Sequence, residues 1–302
     1  MPLRGSALQR CKQLVIPPAW TDVWICPVEN GHLQAVGTDE AGRRQYLYHP
    51  AWRLKRDREK FDYMLEFAAG LPRARKRVAR DLAGESTDIV AVCALAFRLF
   101  DLGAFRIGSE RYAEDNGSYG LLTLECRHIR RDESGMTFEY VAKAGKDRSL
   151  TTTDEGSRRV LERLLRRRAT ADRRLLAYKE SGRWHDLNSD QVSAYLKQRL
   201  GEDATAKDFR TWQANVMAAA CLSLSEDHTS HKKAVSEAMR DVADFLGNTP
   251  AVARSGYVDP RLLDLFEDGT TIESTIAQRH LPRPGKRPSP TLERAVRSLL
   301  AD

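Results

Sequence analysis

Apolar and polar residues alternate with a short period at the start of the chain and with a longer one after it. Trp24-Ile25-Cys26-Pro27-Val28, Leu33-Gln34-Ala35-Val36-Gly37 and Arg44-Gln45-Tyr46-Leu47-Tyr48-His49 are β-prone runs, separated by turn formers at Asn30-Gly31 and from Asp39 to Gly42. Residues 11–49 therefore predict a small antiparallel sheet. In the last run a period of two puts Arg44, Tyr46 and Tyr48 on one face and Gln45, Leu47 and His49 on the other. From Trp52 to Arg80 the period becomes helical, with Phe61, Met64, Leu65 and Ala68 at i, i+3, i+4 and i+7 and an end predicted at Gly70-Leu71-Pro72. A domain boundary is expected here. The reading is an α+β chain of two domains: a β-rich N-terminal domain over 1–56, a mainly helical domain over 57–280, and a tail over 281–302.

Within the helical part, Ile89 to Phe100 is apolar nearly all round, and Ser86-Thr87-Asp88 precedes it as a cap, so a central buried helix is expected. A strand is predicted from Asn116-Gly117-Ser118-Tyr119-Gly120-Leu121-Leu122-Thr123-Leu124 through Ile129, with return strands over Met136–Ala142 and Arg148–Thr151. The turn between those two places Lys146 at a hairpin tip. Helices are expected over 154–200, joined by a loop near Ser181 to His185, and again over Ala214–Leu224. A further helix carrying Val235, Ala238, Met239, Val242 and Leu246 on one face ends at Gly247. Thr249-Pro250 predicts an extended turn, and Pro260–Phe266 and Thr271–Gln278 predict short helices. Pro282 to Pro290 is a basic Pro-rich linker, and the helix after it, Leu292–Leu300, either packs or hangs free.

Composition narrows the class. The chain has 302 residues, 41% of them apolar, enough for a sizeable core, and a net charge of +7 with a pI near 9.2 points to a polyanionic partner without choosing one. Residues 52–80 are strongly basic, with Arg73, Arg75, Lys76 and Arg77 grouped; a solvated helix face and a phosphate-tracking stripe both account for that. Arg158, Arg159, Arg163, Arg166, Arg167 and Arg168 line a later helix, whose apolar stripe marks it as a surface element. Cys11, Cys26, Cys93, Cys126 and Cys221 are odd in number and never form a C-x-x-C pair, which argues for reduced thiols and against a zinc site. With no long apolar run and no signal peptide, a soluble cytoplasmic protein is expected. His128 and His185 lack partners at metal-ligand spacing, and the polar stretch Glu226-Asp227-His228-Thr229-Ser230-His231 is not read as catalytic.

The chemistry is concentrated between Lys207 and Tyr257, where an arginine, an amide and a tyrosine come from separate segments. A phenol with an ordinary pKa of about 10 is a weak nucleophile at neutral pH and needs cations beside it. Taken singly, each of these residues also reads as an amphipathic surface group. As a set, Asp208-Phe209-Arg210-Thr211-Trp212, Gly247-Asn248-Thr249-Pro250 and Ser255-Gly256-Tyr257 resemble the arginine and nucleophile segments of type IB DNA topoisomerases of the bacterial and poxvirus-like class. Arg106 to Thr123, Gly145-Lys146-Asp147 and Gly42-Arg43-Arg44-Gln45-Tyr46-Leu47-Tyr48 resemble that family's first arginine segment, lysine hairpin and N-terminal DNA-contact strand.

The resemblance implies the topoisomerase/tyrosine recombinase fold and relaxation of duplex DNA through a 3′-phosphotyrosyl intermediate. In that reading Tyr257 is the nucleophile, Arg106, Arg210 and Asn248 stabilise the transition state, and Lys146 is the general acid, with Lys143 a competitor for that role. Asn248 stands where many relatives carry histidine, so it offers a hydrogen bond without charge. The resemblance also implies DNA contacts at Gln45, Tyr46, Tyr48, Arg111, Tyr112 and Lys207, and a monomer that clamps double-stranded DNA on the nucleoid. No cofactor or metal is implied, and no G-x-x-x-x-G-K-[ST] loop occurs. Two competing readings are a tyrosine recombinase, against which the missing His-x-x-Arg motif weighs, and a DNA-binding protein without chemistry.

Overall fold

The computed structural model describes residues 5–167, 173–225 and 230–301. The chain divides into two compact units, Met1–Tyr63 and Met64–Asp302.

The first unit holds helix α1 (Gly5–Gln13) and an antiparallel sheet of β1 (Thr21–Ile25), β2 (Leu33–Thr38) and β3 (Arg44–Tyr48), in that order. Residues 11–13, expected in the sheet region, are the end of α1. Arg10 on that helix donates to Cys26 O at 2.7 Å and to Gln34 Oε1 at 2.8 Å, which ties helix to sheet. Ala35 and Val36 are buried in the central strand, whereas Arg44, Tyr46 and Tyr48 are exposed at alternate positions of β3, following the two-residue period.

Helix α2 (Pro50–Ala83) runs on through Pro72, where the sequence predicts a stop. Proline costs the helix its hydrogen bond to Ala68 O. Continuation of the buried stripe through Leu71, Ala74, Val78 and Leu82 outweighs that loss. Tied to α2 by the Arg75–Asp101 ion pair is α3 (Ile89–Gly103), capped by Asp88, whose side chain accepts from Ala91 N at 2.9 Å, and buried at every residue from Ala91 to Gly103. The aromatic centre of the second unit is Phe209, with ring centroids of Phe97 at 5.0 Å, Phe67 at 5.1 Å and Phe100 at 6.1 Å.

After α4 (Glu110–Asn116) the predicted strand over 116–128 is absent. Residues 121–123 and 126–128 form two 3-10 turns, because Leu121 N and Leu122 N bond back to Arg106 O and Ile107 O, both at 2.8 Å. A second sheet follows, β4 (Ile129–Asp132), β5 (Gly135–Ala142) and β6 (Lys146–Thr152). After α5 (Glu155–Arg166) the expected loop near Ser181 is instead the turn of a hairpin, β7 (Ala177–Glu180) and β8 (Arg183–Asp186), with Ser181 and Gly182 at φ of 48° and 80°. Two successive residues of positive φ match the twist of a tight hairpin.

Then come α6 (Ser189–Leu200), α7 (Ala206–Ser223), α8 (His231–Leu246), α9 (Pro250–Gly256), α10 (Pro260–Glu267), α11 (Ser274–His280) and α12 (Pro290–Ala301). Pro250 is the first residue of α9 rather than part of an extended turn, since a fixed φ and a missing N–H suit that position. The basic segment before α12 is anchored by Gly285 N on Leu102 O at 3.0 Å. The last helix packs, burying Leu292, Val296, Leu300 and Glu293. Arg168 and residues 226–229 lie outside the described residues. Among the described residues no helix is long and apolar enough to cross a membrane, and all five cysteines are unpaired.

Candidate active site

A helix leaves its last carbonyls without intrahelical donors and carries partial negative charge there, so cations gather at its C-terminus. At the end of α8 this happens repeatedly. Gly247 adopts the left-handed conformation, φ 64°, and turns the following carbonyls outward. Arg148 Nη1 donates to Asp244 O at 3.1 Å and Nη2 to Phe245 O at 3.0 Å. Arg210 Nη2 donates to Leu246 O at 3.1 Å, Arg106 Nη2 to Gly247 O at 3.1 Å, and Lys146 Nζ to Asn248 O at 2.6 Å. Four cations from three distant segments thus converge on five successive carbonyls.

Each cation is aimed by its own local structure. Ala104, in the left-handed region, ends α3, and its carbonyl accepts from Arg210 Nη1. Phe105 is buried against Phe138 and Tyr140, leaving Arg106 to face the pocket. The backbone beyond Arg106 requires glycine: a Cβ on Gly120 would lie 2.5 Å from Gly108 N and Cα. Lys146 opens β6 directly after the tip formed by 143–145. Arg210 lies on α7, 3% exposed, one turn from Lys207.

Asn248 joins the two arginines. Its Oδ1 accepts from Arg106 Nη2 and, at 3.4 Å, from Arg210 Nη2. Guanidinium groups only donate, so the amide must turn its oxygen toward them and its Nδ2 away. Both Asn248 Nδ2 and Arg210 Nε are buried with no hydrogen-bond partner. Such orphan donors are costly unless a ligand takes them up. Burial, with the proximity of Arg106 and Arg148, outweighs the attraction of Tyr257 and pushes the Arg210 guanidinium down to about 10, and burial lowers Arg106 as well.

Tyr257 completes the pocket. The Arg210 guanidinium carbon lies 5.3 Å and Lys207 Nζ 5.6 Å from its ring centroid. Burial alone raises a phenol pKa, but the combined attraction of Arg210, Lys207 and Arg106 for phenolate prevails and holds Tyr257 below its ordinary value. Its backbone is fixed by Asn215, a buried residue one and a half turns past Arg210 on α7. Asn215 Nδ2 donates to Tyr257 O at 3.0 Å and its Oδ1 accepts from Asp259 N at 2.7 Å. The sequence reading missed Asn215 and Arg148. The available signal for Asn215 was a lone polar residue within the small, apolar run from Ala214 to Leu222.

The family model for the catalytic core of eukaryotic DNA topoisomerase I matches residues 49–277, about three quarters of the chain, and that for the N-terminal domain of bacterial DNA topoisomerase IB matches residues 4–39. The chain belongs to the type IB DNA topoisomerase family. Among curated relatives it is similar to DNA topoisomerase 1B of Acanthamoeba polyphaga mimivirus, 28% identical over 86% of this chain and 80% of the relative. It is also similar to DNA topoisomerase 1 of Rabbit fibroma virus, at 26% over 88% and 83%, and to DNA topoisomerase 1B of Vaccinia virus (strain Copenhagen), at 24% over 77% and 72%.

In this topoisomerase family member the expected catalytic set, Arg106, Lys146, Arg210, Asn248 and Tyr257, occupies one pocket. The expected DNA contacts are more dispersed. Tyr46 and Tyr48 stack with centroids 6.3 Å apart and are 52% and 37% exposed on the open face of the first sheet. Trp24 stands in the same cross-strand row as Tyr46, across the covered Val36, and is exposed too. Gln45 points to the opposite face, where its Nε2 donates to Asp39 Oδ2 at 2.8 Å. Lys207 faces Tyr257 as described. The side chains of Arg111 and Tyr112 lie outside the described residues. His128 is structural: its Nδ1 accepts from Glu125 N at 3.0 Å, and its ring packs on Tyr119. His185 is exposed beside Tyr178. Arg75, counted in the sequence with a surface run, is buried and ion-paired.

Proposed function

We propose that the chain relaxes supercoiled duplex DNA by a transient nick carried on Tyr257. Tyr257 Oη attacks the scissile phosphorus and forms a 3′-phosphotyrosyl bond as the bond to the 5′ oxygen breaks. The phenol proton leaves to solvent, and Lys146 Nζ gives a proton to the departing 5′ oxygen. Arg106, Arg210 and Asn248 hold the non-bridging oxygens of the five-coordinate transition state. After strand rotation the 5′ hydroxyl attacks back and the phenol is regenerated. One phosphodiester is exchanged for another throughout, so no ATP hydrolysis and no metal enter the balance. The protein acts as a monomer on double-stranded DNA of the cytoplasmic nucleoid, with Tyr46 and Tyr48 against the duplex.

The observation that carries this reading is the pair of buried, unpartnered donors, Arg210 Nε and Asn248 Nδ2, beside a phenol held below its ordinary pKa. A tetrahedral anion supplies the acceptors that such donors lack, and in this reading the neighbouring phenol is what attacks it. The test is incubation with negatively supercoiled plasmid in EDTA without ATP, half the sample being quenched with SDS. Relaxation plus protein-linked nicked circles is expected, and Tyr257→Phe should bind DNA and give neither. An adduct surviving in Tyr257→Phe would move the nucleophile elsewhere, and binding without relaxation or adduct in the unaltered protein would leave a recombinase or a passive binder, which a paired-site recombination assay separates.

A further inference from the structure

Lys146 sits at the start of β6 beside a short turn, and an ammonium on a four-carbon stem is held poorly by a single contact. Its position in the pocket depends on where the hairpin lies. Two residues on, and therefore on the same face of the strand, is Arg148. Its guanidinium makes two hydrogen bonds to the last turn of α8, at Asp244 O and Phe245 O, while Lys146 reaches Asn248 O just beyond that helix end. Gly247 leaves room for this: a Cβ there would lie 3.2 Å from both Cδ and Nη1 of Arg148. On the strand side, Tyr140 pairs directly with Arg148 across the sheet and stacks on Phe105, next to Arg106.

We infer that Arg148 is a positioning residue, which latches the lysine hairpin onto the C-terminus of α8 and so holds the Lys146 ammonium at the leaving 5′ oxygen. Arg148 contacts no reacting atom in this scheme. A planar fork is suited to two adjacent carbonyls, and the negative end of the helix dipole strengthens both bonds. The inference rests on the assignment of Lys146 as the general acid.

The experiment is single-turnover cleavage of two DNA substrates of one sequence, one with the natural 5′ bridging oxygen and one with sulfur in its place. A thiol has a pKa of about 8.5, so sulfur leaves as thiolate without a proton donor. Lys146→Ala, the control, should be slow on oxygen and near wild type on sulfur. Arg148→Ala should follow it, with cleavage of the oxygen substrate slowed about 10- to 100-fold, the effect of misplacing an acid, and the sulfur substrate largely spared. Arg148→Lys, which reaches one carbonyl, should fall between. If Arg148→Ala is unstable, Arg148→Gln carries the same comparison. Equal slowing of both substrates by the Arg148 variants, or slowing of neither, while Lys146→Ala is rescued by sulfur, overturns the latch alone. Failure of sulfur to rescue Lys146→Ala overturns the general-acid assignment, and the latch with it.

Discussion

Two arginines of the second unit are buried almost equally, Arg75 at 6% and Arg210 at 3% exposure, yet their surroundings have nothing in common. Arg75 is enclosed by carboxylates. Its Nε and Nη2 bind Asp101 at 2.8 and 2.6 Å, its Nη1 and Nη2 bind Glu293 at 2.5 and 2.8 Å, and Trp212 Nε1 donates to Glu293 at 2.9 Å. The two carboxylates more than offset the burial, and the guanidinium pKa is raised. Arg210 bonds to carbonyl and amide oxygens and interacts with the Tyr257 phenol, with no carboxylate among these partners, a second cation nearby and an unpartnered Nε, and burial lowers its pKa. A buried arginine with its full complement of anions is a structural tie. One held by neutral acceptors around an open donor is prepared for an anion that arrives from outside.

The comparison breaks most visibly by removing Arg210. Arg210→Ala should fold, melt close to the unaltered protein and bind DNA, while single-turnover cleavage falls roughly 100- to 1000-fold, as when one transition-state donor is lost. Relief of cation repulsion around Arg106 argues against a large stability loss. Near-normal cleavage would remove Arg210 from the chemistry and make it another tie like Arg75.

Glu293→Ala is the converse. It leaves Arg75 with half its anions and Trp212 Nε1 unpaired in the core, and truncating one member of a buried ion pair costs about 3 kcal/mol or more. Denaturant unfolding should report that loss, with the cleavage rate per folded molecule unchanged. A stable Glu293→Ala protein that cleaves slowly would mean that the two arginine environments are coupled through α7.

These two clusters also mark what was legible in the sequence. The strand with Tyr46 and Tyr48 follows from a period of two, and α3 from an unbroken apolar run, because each is specified by neighbours along the chain. The proposed catalytic set was picked out only through short motifs that resemble those of the family. Nothing local says that Arg106, Lys146 and Arg210 meet at one helix end, since the meeting is made by carbonyls of α8 that every residue possesses. The same blindness misread Arg75. It stands in Arg73-Ala74-Arg75-Lys76-Arg77, and its partners lie 26 and 218 residues away. Pro72 and the 121–128 segment were misjudged for a related reason: a buried stripe and pairing to Arg106 overrode the local signals of a stop and of a strand.

The finest contrast lies within the pocket, between Arg210 and Lys207, both of which lower the Tyr257 pKa. Arg210 is buried, whereas Lys207 is exposed, so solvent and salt weaken its share. The sign follows from the phenolate. A neighbouring cation favours it, so losing Lys207 raises the Tyr257 pKa, and the rise of cleavage rate with pH moves to higher pH. Folding stability is not the place to look for this. A depressed phenol contributes its full stability only above its unfolded pKa of about 10, and the contribution fades to nothing as pH falls through the folded value. Lys207→Gln should therefore shift the pH profile of single-turnover cleavage upward by less than about one unit at low salt. High salt should shrink the shift toward zero. Weakened DNA binding with an unmoved profile would instead make Lys207 a phosphate contact, leaving Arg210 and Arg106 to tune the nucleophile.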